Sequence, residues 1–292
     1  MDPGARPAAV QGTVLNRARS FGPLERQVAL IGQGTWQMGP DRATGARALR
    51  RGLELGMTHI DTAELYTGSE EIVAEAIADR RDQVFLVSKV LPQNASRRGV
   101  VAACEKSLRR LRSDSLDVYL LHWRGSHPLA ETVAGFEQLE RDGKIRAWGV
   151  SNFDVDDLEE LAALAPPGRP ACNQVLYHLE ERAIEHAVLP WCESHGVALV
   201  GYSPFGSGRF PSARSAGGRA LAEIAAAHGA TPRQVALCFL VRRAPLFAIP
   251  KAANPEHAEQ NAAAAALQLS DPELARIDAA FPIGRPRSLP TL

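Results

Sequence analysis

The 292-residue sequence predicts an α/β fold: a (β/α)8 TIM barrel in a single domain, with an N-terminal hairpin at the barrel bottom. Three observations predict it. Eight short apolar runs recur along the chain, nearly continuous rather than alternating, as parallel strands buried on both faces require. An amphipathic stretch separates each run from the next, which is the βα order of a parallel barrel. Finally, "IGQGTWQMG" has glycines but lacks the G-x-G-x-x-G spacing expected after the first strand of the rival fold, a doubly wound open sheet. The length suits a barrel, which takes about 250 residues.

The runs are "VALIGQGT" (28–35), "THID" (58–61), "VFLVSK" (84–89), "LDVYLLH" (116–122), "IRAWGVSN" (145–152), "CNQVLY" (172–177), "ALVGYS" (198–203) and "FAIPK" (247–251). Helical stretches lie between them. One closes on Gly56, and the next opens on Ser69 with two acids in its first turn. Others start after Ser96, at Pro128, after Asp154, and after Thr231 with Pro232 in the first turn. Residues 1–18 read as a flexible extension and 19–292 as the barrel. "RSFGPLERQ", just ahead of the first run, reads as a hairpin covering the closed end.

Composition narrows the function classes. Lys plus Arg and Asp plus Glu both number 33, so the net charge is zero. Neither a nucleic acid nor a membrane surface is an expected partner. The first residues lack the apolar core of a signal peptide, and no run approaches the roughly 18 residues of a membrane span. A cytoplasmic monomer is expected. Cys104, Cys172, Cys192 and Cys238 are scattered, with no metal-ligand spacing among Cys or His, so no metal is expected. Lysine occurs only at Lys89, Lys106, Lys144 and Lys251. Arginine fills the other basic positions, and the two residues differ where a compact ammonium is needed.

A barrel gathers the C-terminal strand ends on one rim, where barrel chemistry sits. Those ends hold Thr35, Trp36, Asp61, Lys89, His122, Ser151, Asn152, Gln174, Tyr202, Ser203 and Lys251. Tyr66 follows Asp61 in "HIDTAELY". Taken singly, the Asp reads as a turn former, the Lys as a surface charge, and the His and Tyr as packing residues. Together, on successive strand ends, they form a proton-transfer device. A free phenol has a pKa of about 10. An ammonium 4 Å away, at an effective dielectric of 20, favours the phenolate by about 4 kcal/mol. That is a ceiling of about three pKa units, before desolvation acts the other way. Asp61 would hold the ammonium, and His122 would hydrogen-bond a carbonyl oxygen.

The motifs "GQGTW", "HIDTAELY", "VFLVSK", "DVYLLHW", "WGVSNF", "NQVLYH", "GYSPFG" and "IPKAANPEHAEQN" occur in one order over roughly residues 20–282. In this the sequence resembles the aldo-keto reductases, of the bacterial, NADPH-dependent kind. The resemblance implies a (β/α)8 barrel that reduces aldehydes and ketones. Tyr66 would be the general acid, with Lys89 lowering its pKa, Asp61 pairing with Lys89, and His122 orienting the carbonyl. The nicotinamide carboxamide would lie on Ser151, Asn152 and Gln174, with Tyr202 stacked on the ring and Thr35, Trp36 and Asp61 beside it. Ser203, Pro204, Phe205, Gly206 and Ser207 would pass under the pyrophosphate. Lys251, Ala252, Asn254, His257, Gln260 and Asn261 would meet the adenosine end.

That last segment departs from the family. Ala252 and His257 stand where a Ser or Thr and an Arg are usual. A neutral His gives up charge that a 2′-phosphate would meet, so NADPH is expected with NADH also possible. Trp36, Tyr66, His122 and Trp123 would line the carbonyl substrate. The loop "GSGRFPSARSAGG" and the tail "PIGRPRSLPTL" are short, so an open site taking various aldehydes is expected. Two other readings remain at this point. One is a barrel lyase using Lys89 as a Schiff-base nucleophile. The other is a catalytically weak, cofactor-binding regulatory subunit.

Overall fold

The computed structural model describes residues 17–39, 41–166 and 168–291. Most of the expected extension, residues 1–16, lies outside the described residues.

The described chain opens with an antiparallel hairpin, β1 (Ala18–Phe21) and β2 (Leu24–Ala29). Gly22 makes the turn at φ +55°, a conformation that suits glycine. A Cβ there would lie 2.2 Å from the Ala171 carbonyl oxygen, so the turn presses directly on the barrel. Phe21 is fully buried, with ring contacts to His59, Phe85 and Phe247 at the starts of three barrel strands. The hairpin therefore plugs the N-terminal mouth, as the sequence implied.

The barrel begins with β3 (Gln33–Gly34), followed by α1 (Arg42–Glu54). Then come β4 (His59–Asp61) and α2 (Ser69–Ile77), and β5 (Phe85–Val90) and α3 (Arg97–Leu111). β6 (Leu116–Leu121) and α4 (Leu129–Arg141) precede β7 (Ile145–Ser151) and α5 (Val155–Leu164). β8 (Cys172–Leu176), α6 (Val188–His195) and β9 (Ala198–Tyr202) follow. Two helices, α7 (Ala216–Ala227) and α8 (Pro232–Leu240), lead to β10 (Leu246–Ala248). α9 (Pro255–Ala263) and α10 (Asp271–Ala280) complete the fold.

Strands β3 to β10 pair in sequence order, all parallel. Parallel bridges Ile31–Ala248 and Gly34–Lys251 join first strand to last and close the cylinder. The Gly32 N–H donates to the Ala248 carbonyl at 2.8 Å, and the Ala248 N–H to the Leu30 carbonyl at 2.9 Å.

One expectation needs correcting, and one needs refining. The run 28–35 is not one strand: residues through Ala29 belong to the hairpin, and only Gln33–Gly34 forms β3. The backbone runs close to its neighbours here. Cβ atoms at Gly32 and Gly34 would lie 2.8 and 2.7 Å from the carbonyl oxygens of His59 and Ile249. α2 opens on Ser69 with Glu70 and Glu71 in its first turn, but Ser69 does not supply the cap. Gly68 is the cap, and the Ser69 hydroxyl donates to the Thr35 carbonyl at 2.8 Å. Ser96, Asp154 and Thr231 cap their helices as expected.

The period of two along each strand places the site. Phe85, Val87 and Lys89 alternate on one strand; Val118, Leu120 and His122 do so on the next. Ala198, Val200 and Tyr202, and Cys172 and Gln174, repeat the pattern. Phe85, Val87, Val118, Leu120, Ala147, Cys172, Ala198 and Val200 pack in one inner core beside the plug residue Phe21. The opposite register, including Leu86, Tyr119, Leu121, Trp148 and Val150, packs with the helices in a second core. The inward face thus runs from apolar at the plugged mouth to polar at the open one.

Candidate active site

At the open mouth is a cavity of about 210 Å³, lined by Thr35, Trp36, Asp61, Leu65, Tyr66, His122, Trp123, Ser151, Asn152, Gln174, Tyr202 and Ser203, with Gly34 and Ile249. Lys89 and Asp61 are buried, at 0% and 1% exposure. The Lys89 ammonium donates to one oxygen of Asp61 and, at 2.8 Å, to the Thr62 carbonyl. Gln174 Nε2 donates to the other Asp61 oxygen at 2.7 Å. A buried ion pair is tolerable when its remaining valences are satisfied in this way.

The Tyr66 ring lies 5.2 Å from Lys89 Nζ and packs edge-on against His122, with centroids 5.7 Å apart. The four groups drawn from β4, the loop after it, β5 and the end of β6 do converge. Burial works against the Lys89 charge, yet Asp61 and Tyr66 carry its pKa above the usual lysine value. Burial raises the Asp61 carboxyl, with Lys89 and Gln174 opposing. Burial also raises the Tyr66 phenol, more than Lys89 lowers it. The net direction is opposite to the expected depression, and it keeps the proton on the phenol at neutral pH. Burial, then Lys89, pushes the His122 imidazole down to about 3. It is therefore neutral, and its Nδ1 is buried with no hydrogen-bond partner among the described residues.

A Schiff-base role for Lys89 conflicts with this geometry. That chemistry needs a neutral, accessible amine; this one is charged, fully buried and held by two acceptors.

The other wall carries amide and hydroxyl groups. The Ser151 hydroxyl donates to the Gln174 carbonyl at 2.8 Å. Asn152 Nδ2 donates to the His122 carbonyl at 3.1 Å, and Asn152 Oδ1 accepts from the Tyr202 hydroxyl at 2.9 Å. Asn152, Ser203 and Ser207 all have left-handed φ values, 62°, 50° and 51°. Such strain costs of order 1–3 kcal/mol per residue and gathers at ligand clamps. The donor set, an aromatic ring at Tyr202 and the turn at 203–208 fit a planar carboxamide followed by a phosphate chain. Thr35 lies at the mouth, its hydroxyl donating to the Asp61 carbonyl at 3.0 Å.

Farther out, Lys251 and His257 are exposed, while Ala252 and Asn261 are buried. Asn254 caps α9 by accepting from the His257 N–H at 2.9 Å, and the Gln260 carbonyl accepts from Gln234 Nε2 at 2.9 Å. Pro204, Phe205 and Gly206 form the turn after β9, with Phe205 packed on the inner core. Trp36 and Trp123 stand at the rim, 43% and 37% exposed, with Leu65 at 45%.

Residues 30–281 match the sequence profile of the Aldo/keto reductase family. The chain belongs to the aldo/keto reductase family. It is 48% identical over 258 residues to methylglyoxal reductase YeaE of Escherichia coli (strain K12), covering 86% of this chain and 90% of that protein. Identity to glyoxal reductase of Bacillus subtilis (strain 168) is 34% over 235 residues, 80% of this chain and 82% of that one. Among solved structures, an aldo-keto reductase from Klebsiella pneumoniae in complex with NADPH superposes with a TM-score of 0.89 at 44% identity, covering 95% of this chain and 100% of that chain. As an aldo/keto reductase, the chain is an oxidoreductase that converts carbonyls to alcohols with a nicotinamide cofactor. No helix among the described residues is long and apolar enough to cross a membrane. No cluster of three metal-ligating side chains occurs among them either.

Two residues of this reductase escaped sequence reasoning. Glu64, inside "HIDTAELY", accepts from the Leu91 N–H at 2.6 Å and from Asn94 Nδ2 at 3.0 Å. Leu65 reaches the rim from the same loop. An acid and a leucine in a loop carry no periodic signal; only their nearness to Tyr66 marks them.

Proposed function

We propose that this chain is an NADPH-dependent reductase of small aldehydes and 2-oxoaldehydes, with Tyr66 as proton donor. The supporting observation is the buried Lys89–Asp61–Gln174 assembly beneath the Tyr66 ring. Similarity to a methylglyoxal reductase and a glyoxal reductase supports the substrate class. The apolar rim of Trp36, Leu65 and Trp123 around the mouth suits small carbonyls.

NADPH, when bound, supplies the hydride to the carbonyl carbon. Ser151, Asn152 and Gln174 would hold its carboxamide, with Tyr202 on the ring and Thr35 and Trp36 beside it. Residues Ser203 to Ser207 would follow the pyrophosphate, and Lys251, Ala252, Asn254, His257, Gln260 and Asn261 the adenosine end. Neutral His122 donates a hydrogen bond to the carbonyl oxygen and aligns it with the phenol. Tyr66 then passes its proton to that oxygen as negative charge develops there. Lys89, kept charged by Asp61, stabilises the phenolate that remains until solvent returns a proton. Trp36 and Trp123 wall the substrate.

With Lys251 retained and His257 in the helix, NADPH is preferred and NADH is also used. The protein works as a cytoplasmic monomer. Four free, buried cysteines suit a reducing compartment. Three of the exposed large apolar side chains, Trp36, Leu65 and Trp123, line the cavity mouth rather than a separate face. The test is NADPH oxidation over a panel of 2-oxoaldehydes, simple aldehydes and ketones, repeated with NADH. Turnover highest on 2-oxoaldehydes with NADPH supports the reading. Cofactor binding with no turnover on any carbonyl would favour the regulatory-subunit reading.

A further inference from the structure

We propose that Glu64 is a positioning residue that locks Tyr66 over Lys89 by stapling the loop after β4 to the loop after β5. The inference rests on Tyr66 being the proton donor.

Tyr66 belongs to a seven-residue connection between Asp61 and α2. Such a loop has many conformations, and ordering it costs entropy. Both ends of this one are tied. On the β3 side, the Ser69 hydroxyl donates to the Thr35 carbonyl at 2.8 Å. On the β5 side, one Glu64 oxygen accepts two hydrogen bonds, from the Leu91 N–H and from Asn94 Nδ2, at 2.6 and 3.0 Å. The Glu64 N–H donates to the Lys89 carbonyl at 3.3 Å. The carboxylate is thus bound to the segment immediately after Lys89, and its own backbone to Lys89 itself. A tight turn, with the Tyr66 N–H on the Ala63 carbonyl at 3.0 Å, then delivers the phenol two residues later.

The consequence is electrostatic as well as geometric. Lys89 lowers the pKa of Tyr66 in proportion to their nearness. A loop released from Leu91 and Asn94 lets the phenol drift from the ammonium. Burial and the ammonium then both act on it less, so its pKa moves from the wild-type value, and fewer enzyme molecules hold it near the carbonyl. Charge-assisted bonds to a carboxylate are about twice as strong as neutral ones, yet geometry here needs only an acceptor at the bound oxygen. Glutamine supplies one.

The experiment compares wild type, Glu64→Ala, Glu64→Gln and Asn94→Ala as full-length proteins. It records kcat and KM for carbonyl reduction, the pH profile of alcohol oxidation, NADPH affinity by fluorescence and Tm. Glu64→Ala is expected to lower kcat by about tenfold or more, with NADPH affinity within twofold. Its alcohol-oxidation pH profile shifts from that of wild type, since oxidation needs the phenolate and the phenol no longer sits in its packed place beside Lys89. Glu64→Gln recovers most of the kcat and the wild-type profile, and Asn94→Ala falls between. The proposal is overturned if Glu64→Ala keeps wild-type kcat and profile, or if Glu64→Gln is impaired as severely as Glu64→Ala. Loss of NADPH affinity in parallel with kcat would also overturn it, because the defect would then not lie at Tyr66. If Tyr66→Phe itself kept full activity, the proton-donor reading would fall, whatever the Glu64 variants did.

Discussion

Gln174 Nε2 donates to the Asp61 carboxylate at 2.7 Å, on the oxygen that Lys89 leaves free. The bond spans the barrel mouth from β8 to β4, and the two residues lie 113 positions apart in sequence. It leaves both oxygens of a buried acid satisfied, so the acid and the amine can remain charged beneath the phenol.

Removing Lys89 tests that dependence. Lys89→Met is expected to destabilise the fold by about 3–5 kcal/mol, because it leaves Asp61 charged, buried and unpaired. Adding Asp61→Asn should restore most of the loss, since a neutral amide needs no counter-ion. Urea unfolding of the single and double variants measures this. Equal stability of the two would contradict it.

Acid should weaken the fold through two histidines. Burial, then Lys89, pushes both His59 and His122 from the ordinary 6.5 down to about 3. The unfolded chain therefore takes up protons at pH values where the folded chain refuses them. Stability is full above about pH 6.5 and falls as pH drops towards 3, by about 1.4 kcal/mol per pH unit per histidine. Neither ring nitrogen of His59 has a hydrogen-bond partner among the described residues. His59→Leu should therefore stay near wild-type stability at neutral pH and lose about one proton's worth of acid slope. Denaturant melts at several pH values check both statements.

Cofactor choice should respond to position 257. His257 is exposed in the first turn of α9, beside Asn254. His257→Arg is expected to tighten NADPH by about tenfold, or ~1.4 kcal/mol, with NADH little changed. Fluorescence titration with both nucleotides measures it. Equal tightening of both would show that the added charge does not meet the 2′-phosphate.

Much of this was legible in the sequence, for a definite physical reason. Lys89 and His122 end continuous apolar runs, and a barrel brings such ends together, so strand-end polarity read as a site. The same rule failed at the first strand. "VALIGQGT" looks uniform, but its first two residues end the hairpin, and Gly32 marks a close backbone contact just ahead of the strand. Ser69 looked like a cap because serine before acids usually is one; tertiary contact with Thr35 took the hydroxyl instead. The sign of the Tyr66 shift was not legible either. It depends on how much solvent the surrounding side chains displace, which only the packed structure contains.

The most direct measurement is pre-steady-state reduction of a 2-oxoaldehyde by NADPH, comparing wild type with Tyr66→Phe at equal cofactor occupancy. Loss of the acid should slow the chemical step by at least about 10²-fold while NADPH binds as before. Hydride transfer at an unchanged rate in the variant would contradict the assignment of the proton to Tyr66.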